Sequence, residues 1–304
     1  MFGPLSALVA DPAVTDVFVN GAGPVWVDRG NGVERAPVAA VSEEQARALA
    51  VRLLAAGGRH LDEASPCIDA RLHDGIRVHA VLPPVSPAGT ALSLRLPRLD
   101  RLGMLDLERA GFFERVPRSL VDDLVARRAN ILVTGAGGSG KTTFLAAMLA
   151  QASTVERIVT IEDVAELRIA HPHVIALETR QANIEGAGAI GLERLVREAL
   201  RMRPDRLVLG ECRGAELREL LAALNTGHDG GAGTLHANSL ADVPARLEAL
   251  AAVAGMSDAA VARQAVSGID AVLHLERRDG ARVLAEAGRL TLDDGRRLAV
   301  EPLA

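Results

Sequence analysis

The sequence predicts an α/β fold: a parallel sheet covered by helices, preceded by a smaller α+β unit. From Val121 onward, helical stretches alternate with short apolar strands, the pattern of a parallel sheet. Within that alternation, residues 135–142 read GAGGSGKT between an apolar run and a helical one. Ahead of it, residues 1–100 are rich in short alternating segments and turns. A chain of 304 residues is long enough for about two domains with a sizeable core. The boundaries fall at 1–100 for the first domain, 101–118 for a linker and 119–304 for the second.

Composition narrows the functional class. With 49% hydrophobic and 24% charged residues the chain is an ordinary globular protein. Aromatics make up only 2%, without any Tyr, so Ala, Leu and Val must build the core. A net charge of −5 and scattered arginines give no pull towards nucleic acid or anionic lipid. Cys67 and Cys212 supply neither a zinc set nor a disulfide framework, and both are expected to be buried thiols. The N-terminus lacks a basic stretch and soon meets Asp11, so no signal peptide is expected. No apolar run approaches the roughly twenty residues that cross a bilayer. The expected location is cytoplasmic, with membrane association only through a partner.

Taken in order, Asp16–Asn20 and Val25–Asp28 alternate as strands across the turn-like GAGP. Residues 42–58 open with a capping Ser42 and two acids and end in Gly57-Gly58, which predicts one amphipathic helix. DARL, IRVHAVLPP and LSLRLP follow as strand candidates carrying Arg71, Arg77 and Arg95. In the second half the strand candidates are NILVT (130–134), RIVTIED (157–163), HVIAL (173–177), RLVLGE (206–211) and GAGTLH (231–236). Helices are expected at 142–150, 192–202, 215–225 and 257–269, then a hairpin around Asp279-Gly280.

GAGGSGKT has the G-x-x-x-x-G-K-[ST] form of a phosphate loop in its proper strand–turn–helix context. Backbone N–H groups of Gly135, Ala136, Gly137, Gly138, Ser139 and Gly140 can curl around a polyphosphate without a Cβ in the way at the glycines. The helix N-terminus adds its partial positive charge. Lys141 is placed to reach the outer phosphates and Thr142 to ligate Mg²⁺, and Thr143 is expected among the nucleotide-binding residues. These residues imply a nucleoside triphosphate site. Glu211 ends an apolar strand, where open α/β sheets bind ligands and an acid can hold Mg²⁺. Glu162, Asp163 and Glu166 follow another strand; alone they would read as a helix cap or a solvated turn, and the phosphate loop favours a role at the phosphates. His228 and His236 bracket a glycine-rich segment suited to sensing a γ-phosphate, and without further ligands nearby zinc is not favoured.

GAGGSGKTT, RIVTIEDVAEL, LETRQANIEG, ALRMRPDRLVLGECRGAE and NTGHDGGAGTLHANS together resemble the Walker A, Asp box, Walker B and His box series of the type II/type IV secretion ATPases. The tight-adherence (Tad) pilus assembly branch is the most similar, and LDEASPCIDARLHDGIRVHAVLPP resembles its N-terminal domain. The resemblance implies a RecA-like ATPase domain, ATP and Mg²⁺ as cofactors, a homo-hexamer and an inner-membrane platform partner. It implies that Glu166 activates water and that Glu211 is the Walker B acid. His228 and His236 would form the His-box pair, and Arg77 and Arg95 would face the nucleotide from the N-terminal domain. Arg201 and Arg213 match arginines that reach a neighbouring subunit's site. Taken singly, the alternative for each arginine is a surface salt bridge. Three departures stand out: Gly210 precedes Glu211 where Asp is usual in Walker B strands generally, Cys212 follows where Val or Met is more usual, and the N-terminal extension of many relatives is not seen.

The rival function is a DNA-translocating or conjugation-type motor, which needs a basic groove that the acidic balance does not offer. Nucleotide as a purely structural ligand is disfavoured by Glu166 and Glu211. A GTPase is disfavoured by the missing N-K-x-D motif.

Overall fold

A computed structural model of the chain describes residues 1–30, 32–72, 75–96, 102–180, 187–278 and 280–303. The expected hairpin residue Asp279, residues 97–101 of the expected connection and residues 181–186 of LETRQANIEG lie outside them. The chain forms two compact units, Met1–Asp100 and Arg101–Ala304.

The first unit opens with a 3-10 turn at Gly3–Leu5 and a short helix α1, Ser6–Ala10. Strands β1 (Asp16–Asn20), β2 (Val25–Asp28) and β3 (Val33–Arg35) precede helix α2 (Glu43–Ala56). Strands β4 (Cys67–Arg71), β5 (Arg77–Val81) and β6 (Ala91–Arg95) complete a sheet of order β3-β2-β1-β6-β5-β4, antiparallel throughout. Period-2 alternation decides its faces. Val17 and Val19 stand opposite Leu94 and Leu92 and bury with Leu49, Leu53 and Leu54 of α2. Helix α2 starts where the sequence predicts: the Gln45 N–H donates to Ser42 Oγ, and the Ser42 N–H donates to Gln45 Oε1. The expectation that Cys67 is buried is wrong. It lies on the edge strand β4 and shares the non-core face with Asp69 and Arg71, so its thiol is exposed.

The second unit contains α3 (Met104–Arg109), α4 (Arg118–Ala126), β7 (Ile131–Gly135), α5 (Lys141–Leu149), β8 (Ile158–Glu162) and β9 (Val174–Glu178). It continues with α6 (Leu192–Leu200), β10 (Arg206–Cys212), α7 (Glu216–Leu224), β11 (Ala232–His236), α8 (Val243–Val253) and α9 (Asp258–Gly268). It ends with β12 (Ala271–Arg278), β13 (Ala281–Leu292) and β14 (Leu298–Pro302). The sheet order is β14-β13-β12-β7-β11-β10-β8-β9. The six strands from β12 to β9 run parallel, and β13 and β14 add an antiparallel extension at one edge.

Both faces of this sheet are covered, which is why β7 and β8 are buried at every position and read as continuous apolar runs. Leu132 faces a cluster that includes Leu217 and Leu221 of α7, Val243 and Leu247 of α8, and Val261 of α9. Ile131 and Val133 face the other side, with Phe144, Leu145 and Met148 of α5. Met104, Leu107, Phe112 and Val116, from the stretch expected as a connection, belong to this second cluster. Three rings meet there: Phe112 lies 5.0 Å from Phe144 and 5.1 Å from Phe113. Replacing Phe112 by Ala should cost about 3–5 kcal/mol. Urea unfolding followed by circular dichroism checks this, and a loss below about 1 kcal/mol would contradict the packing described.

Candidate nucleotide site

Parallel strands deliver their C-terminal ends to one edge of the sheet, so β7, β8, β10 and β11 bring their following residues together there. Gly135 ends β7 with φ +147°, and a Cβ there would stand 2.5 Å from the Leu275 carbonyl oxygen. Gly140 caps α5 with φ +96°, in the left-handed region that favours glycine. A side chain at either position would fill space the loop needs. Between them the loop turns into α5, whose first N–H groups have no helical partner.

Lys141 is the first residue of α5 and is only 8% exposed. Its Nζ donates to the Gly135 carbonyl at 2.9 Å and the Ala136 carbonyl at 2.8 Å, and lies 3.2 Å from His236 Nδ1. Burial lowers its pKa from the ordinary lysine value, opposed by the charge of Glu211. His236 ends β11 opposite Gly135, and its Nε2 lies 3.0 Å from Glu211 Oε1. Because the ammonium has only protons to give, Nδ1 is the acceptor and the ring proton sits on Nε2, facing Glu211. Lys141, His236 and Glu211 thus form one chain of hydrogen bonds at the mouth of the sheet. Thr142 is half-buried and Thr143 exposed on the next positions of the helix.

The acids after β8 divide into two kinds. Glu162 is 5% exposed, and its Oε1 accepts the N–H groups of Glu166 at 2.9 Å and Leu167 at 3.1 Å. It is a clamp for its own loop. Glu166 is held by that clamp at the same sheet edge as the phosphate loop, with its side chain exposed. Glu162 also accounts for Gly210: a Cβ there would meet Glu162 Cγ at 2.5 Å, so an Asp before Glu211 has no room. Asp163 is taken by Arg213, whose NH2 lies 2.7 Å from its carboxylate. Cys212 is 2% exposed, and burial, then Glu216 and Glu211, push its thiol far above the ordinary range.

The remaining candidates stand elsewhere. His228 precedes β11 and so lies at the opposite edge of the sheet from His236. A strand rise of about 3.3 Å per residue puts roughly 15–20 Å between them, so the two do not meet within one chain. Arg201 caps the end of α6, exposed, with NH1 at 3.3 Å from Glu198. Arg77 and Arg95 belong to the first unit, where they pair directly across β5 and β6. Arg71 on β4 stands opposite Arg77, and Asp16 on β1 opposite Arg95. This puts three arginines in one row on the non-core face, with Asp16 at its end.

Several neighbours of the phosphate loop escape sequence reasoning. Arg282 of β13 donates through Nε to the Gly138 carbonyl at 3.2 Å. Arg246 of α8 donates to the His236 carbonyl at 3.1 Å. An open cleft of about 500 Å³ lies between Ala136 and Gly137 on one side and His236, Asn238, Asp242 and Arg246 on the other. Pro244 near the start of α8, after Asp242, was a readable helix signal for the Arg246 helix. Arg282 left no comparable signal, because only strand register brings it to the loop.

Residues 1–278 match the family described as Type II/IV secretion system protein. A Mycobacterium tuberculosis protein provisionally named for conjugal transfer is 48% identical over 305 residues, covering 98% of this chain and 87% of its own length. The type IV secretion system protein VirB11 of Brucella suis is 31% identical over 261 residues, covering 78% of this chain and 72% of its own. Among solved structures, the pilus retraction motor PilT with bound ADP aligns with a TM-score of 0.64 at 21% identity, over 98% of this chain and 81% of that one. The Legionella pneumophila ATPase DotB aligns with a TM-score of 0.61 at 17% identity, over 97% and 77%. These two likenesses establish the fold.

The two thiols should separate cleanly. In the native protein a disulfide reagent should titrate Cys67 alone, and Cys212 should appear only in denaturant, since burial keeps its reactive thiolate from forming. Rapid native labelling of both would contradict the buried setting of the β10 strand end.

Proposed function

The chain belongs to the Type II/IV secretion system protein family, and from that premise we propose that it is an ATP-hydrolysing motor for pilus assembly or protein secretion. The observation that carries this is the phosphate loop with Lys141, His236 and Glu211 hydrogen-bonded in series beside it. A γ-phosphate arriving at the loop would draw the ammonium from its backbone carbonyls, and His236 would report the change to Glu211. Glu166, exposed on a clamped loop at the same edge, is the group we assign to activating the attacking water. The hydroxyl of Thr142 and the carboxylate of Glu211 are hard oxygen donors suited to Mg²⁺ and its waters, and they would hold the ion. When bound, Mg²⁺ supplies charge neutralisation at the phosphates.

The arginine row of the first unit supports that unit, residues 1–100, as a separate domain that presents Arg77 and Arg95 to the anionic nucleotide. Arg201, exposed at a helix end, is suited to a neighbouring copy in a homo-hexamer, with His228 on a different edge from His236 serving a contact of its own. Arg213 acts where it stands, bracing Asp163. Among the described residues no helix is long and apolar enough to cross a membrane, and we assign the motor to the cytoplasmic face, docked on an inner-membrane platform protein. We assign it to the Tad pilus branch on the resemblance of its motif series. The names of the conjugal transfer relatives favour a second reading, a conjugation motor. The net charge of −5 counts against direct contact with DNA.

Steady-state ATP turnover across a protein concentration series, with mass determination, tests this. Turnover should rise as hexamers form, and Glu166→Gln should lower it by ~10² to 10⁴ while nucleotide still binds. Rings that bind ATP and never hydrolyse it would contradict the motor. Turnover stimulated by DNA would favour the conjugation reading.

A further inference from the structure

Helix α8 follows β11, and one side of its first turns borders the phosphate loop. Asp242, its N-cap, and Ala245 and Arg246, three and four residues on, share that side. All three line the cleft of about 500 Å³ whose other wall is Ala136 and Gly137. Val243, Leu247 and Leu250 of the same helix are buried in the core, which fixes its rotation.

Arg246 is the permanent cation of that lining. Its Nε donates to the His236 carbonyl at 3.1 Å, which anchors the guanidinium beside the end of β11. Asp242 stands four residues before it, a spacing at which a helical acid and arginine commonly pair. Among the described residues Arg246 nonetheless makes no ion pair, and the carbonyl of His236 is its hydrogen-bond partner. A guanidinium held through Nε keeps two further nitrogens for a second partner, and an anion with several oxygens matches that fork.

The outer end of a bound triphosphate falls at this cleft. A phosphate-loop lysine reaches the β- and γ-phosphates, and Lys141 Nζ lies at the Gly135 and Ala136 carbonyls. The γ end is therefore by Ala136, which shares the cleft with Arg246. The Asp242 carboxylate in the same lining makes the arginine matter more. With Arg246 present the two charges offset each other; without it the acid alone would meet an incoming phosphate.

We propose that Arg246 is a substrate-binding residue for the γ-phosphate, supplied by the same chain as the phosphate loop. Its Nε holds the His236 backbone while its terminal nitrogens take γ-phosphate oxygens, so that triphosphate is told from diphosphate. A diphosphate leaves the guanidinium bonded to His236 alone. The assignment rests on the nucleotide reading above and adds to it a group that separates substrate from product.

Calorimetric titration of the full chain with Mg-ADP and with the non-hydrolysable triphosphate Mg-AMP-PNP tests it. Arg246→Gln should weaken AMP-PNP about tenfold, the worth of a charge-assisted hydrogen bond, and leave ADP within about twofold. Glutamine keeps a neutral amide able to donate to the His236 carbonyl, so a role confined to the loop would survive that change. Arg246→Lys keeps the charge and should lose less AMP-PNP affinity than the glutamine variant. The side chain is exposed, so both variants should melt as the wild type does. An unchanged ratio of AMP-PNP to ADP affinity in Arg246→Gln would overturn the inference alone. So would a lysine variant impaired as much as the glutamine one. A wild type that binds neither nucleotide would overturn the nucleotide reading, and this inference with it.

Discussion

The second unit is organised around keeping one ammonium out of water. Lys141 is a charged group at 8% exposure, and a buried charge is tolerated only when paired and hydrogen-bonded. Two loop carbonyls and His236 meet that need, and Glu211 stabilises the charge from one step further. Each of these comes from a different part of the chain: the carbonyls from the end of β7, the imidazole from β11, the carboxylate from β10. Only a parallel sheet that brings all three strand ends to one edge can assemble them. The interaction is also provisional, since the carbonyls and the imidazole are neutral partners standing where anionic phosphate oxygens would compete.

The same edge shows how space is divided. Glu162 occupies the volume that any side chain at 210 would need, which makes Gly210 a steric requirement of the loop clamp. The clamp fixes the backbone at Glu166, whose side chain is solvent-exposed. On the far side, Arg282 and His274 reach the phosphate loop from the antiparallel extension and its neighbouring strand. The loop is therefore supported from behind by strands that carry none of its motif.

What could be read from the sequence was what is local. The phosphate loop, the strand before it and the helix after it were legible because glycine spacing, apolar run and helix composition sit within about twenty contiguous residues. The Ser42 cap and the alternation of β1 were legible for the same reason. Helix α8 was missed where Pro244 follows a loop rich in polar residues. The burial of Met104, Leu107 and Phe112 was missed because a short segment after a turn-rich stretch looks like a connection. Cys67 went astray because apolar character says nothing about which face of an edge strand a residue takes. His274 and the arginine row depend on register between strands, which no local pattern encodes.

The central claim, that Lys141 is held for a polyphosphate, is tested most directly by thermal unfolding of the wild type and Lys141→Met with and without Mg-ADP. Removing a buried charge should leave the unliganded protein at least as stable, while the ligand-dependent rise in Tm should vanish. In the wild type that rise should correspond to about 2.7 kcal/mol at a hundredfold excess over Kd. A variant stabilised by Mg-ADP as fully as the wild type would show that the lysine serves the fold and not the nucleotide.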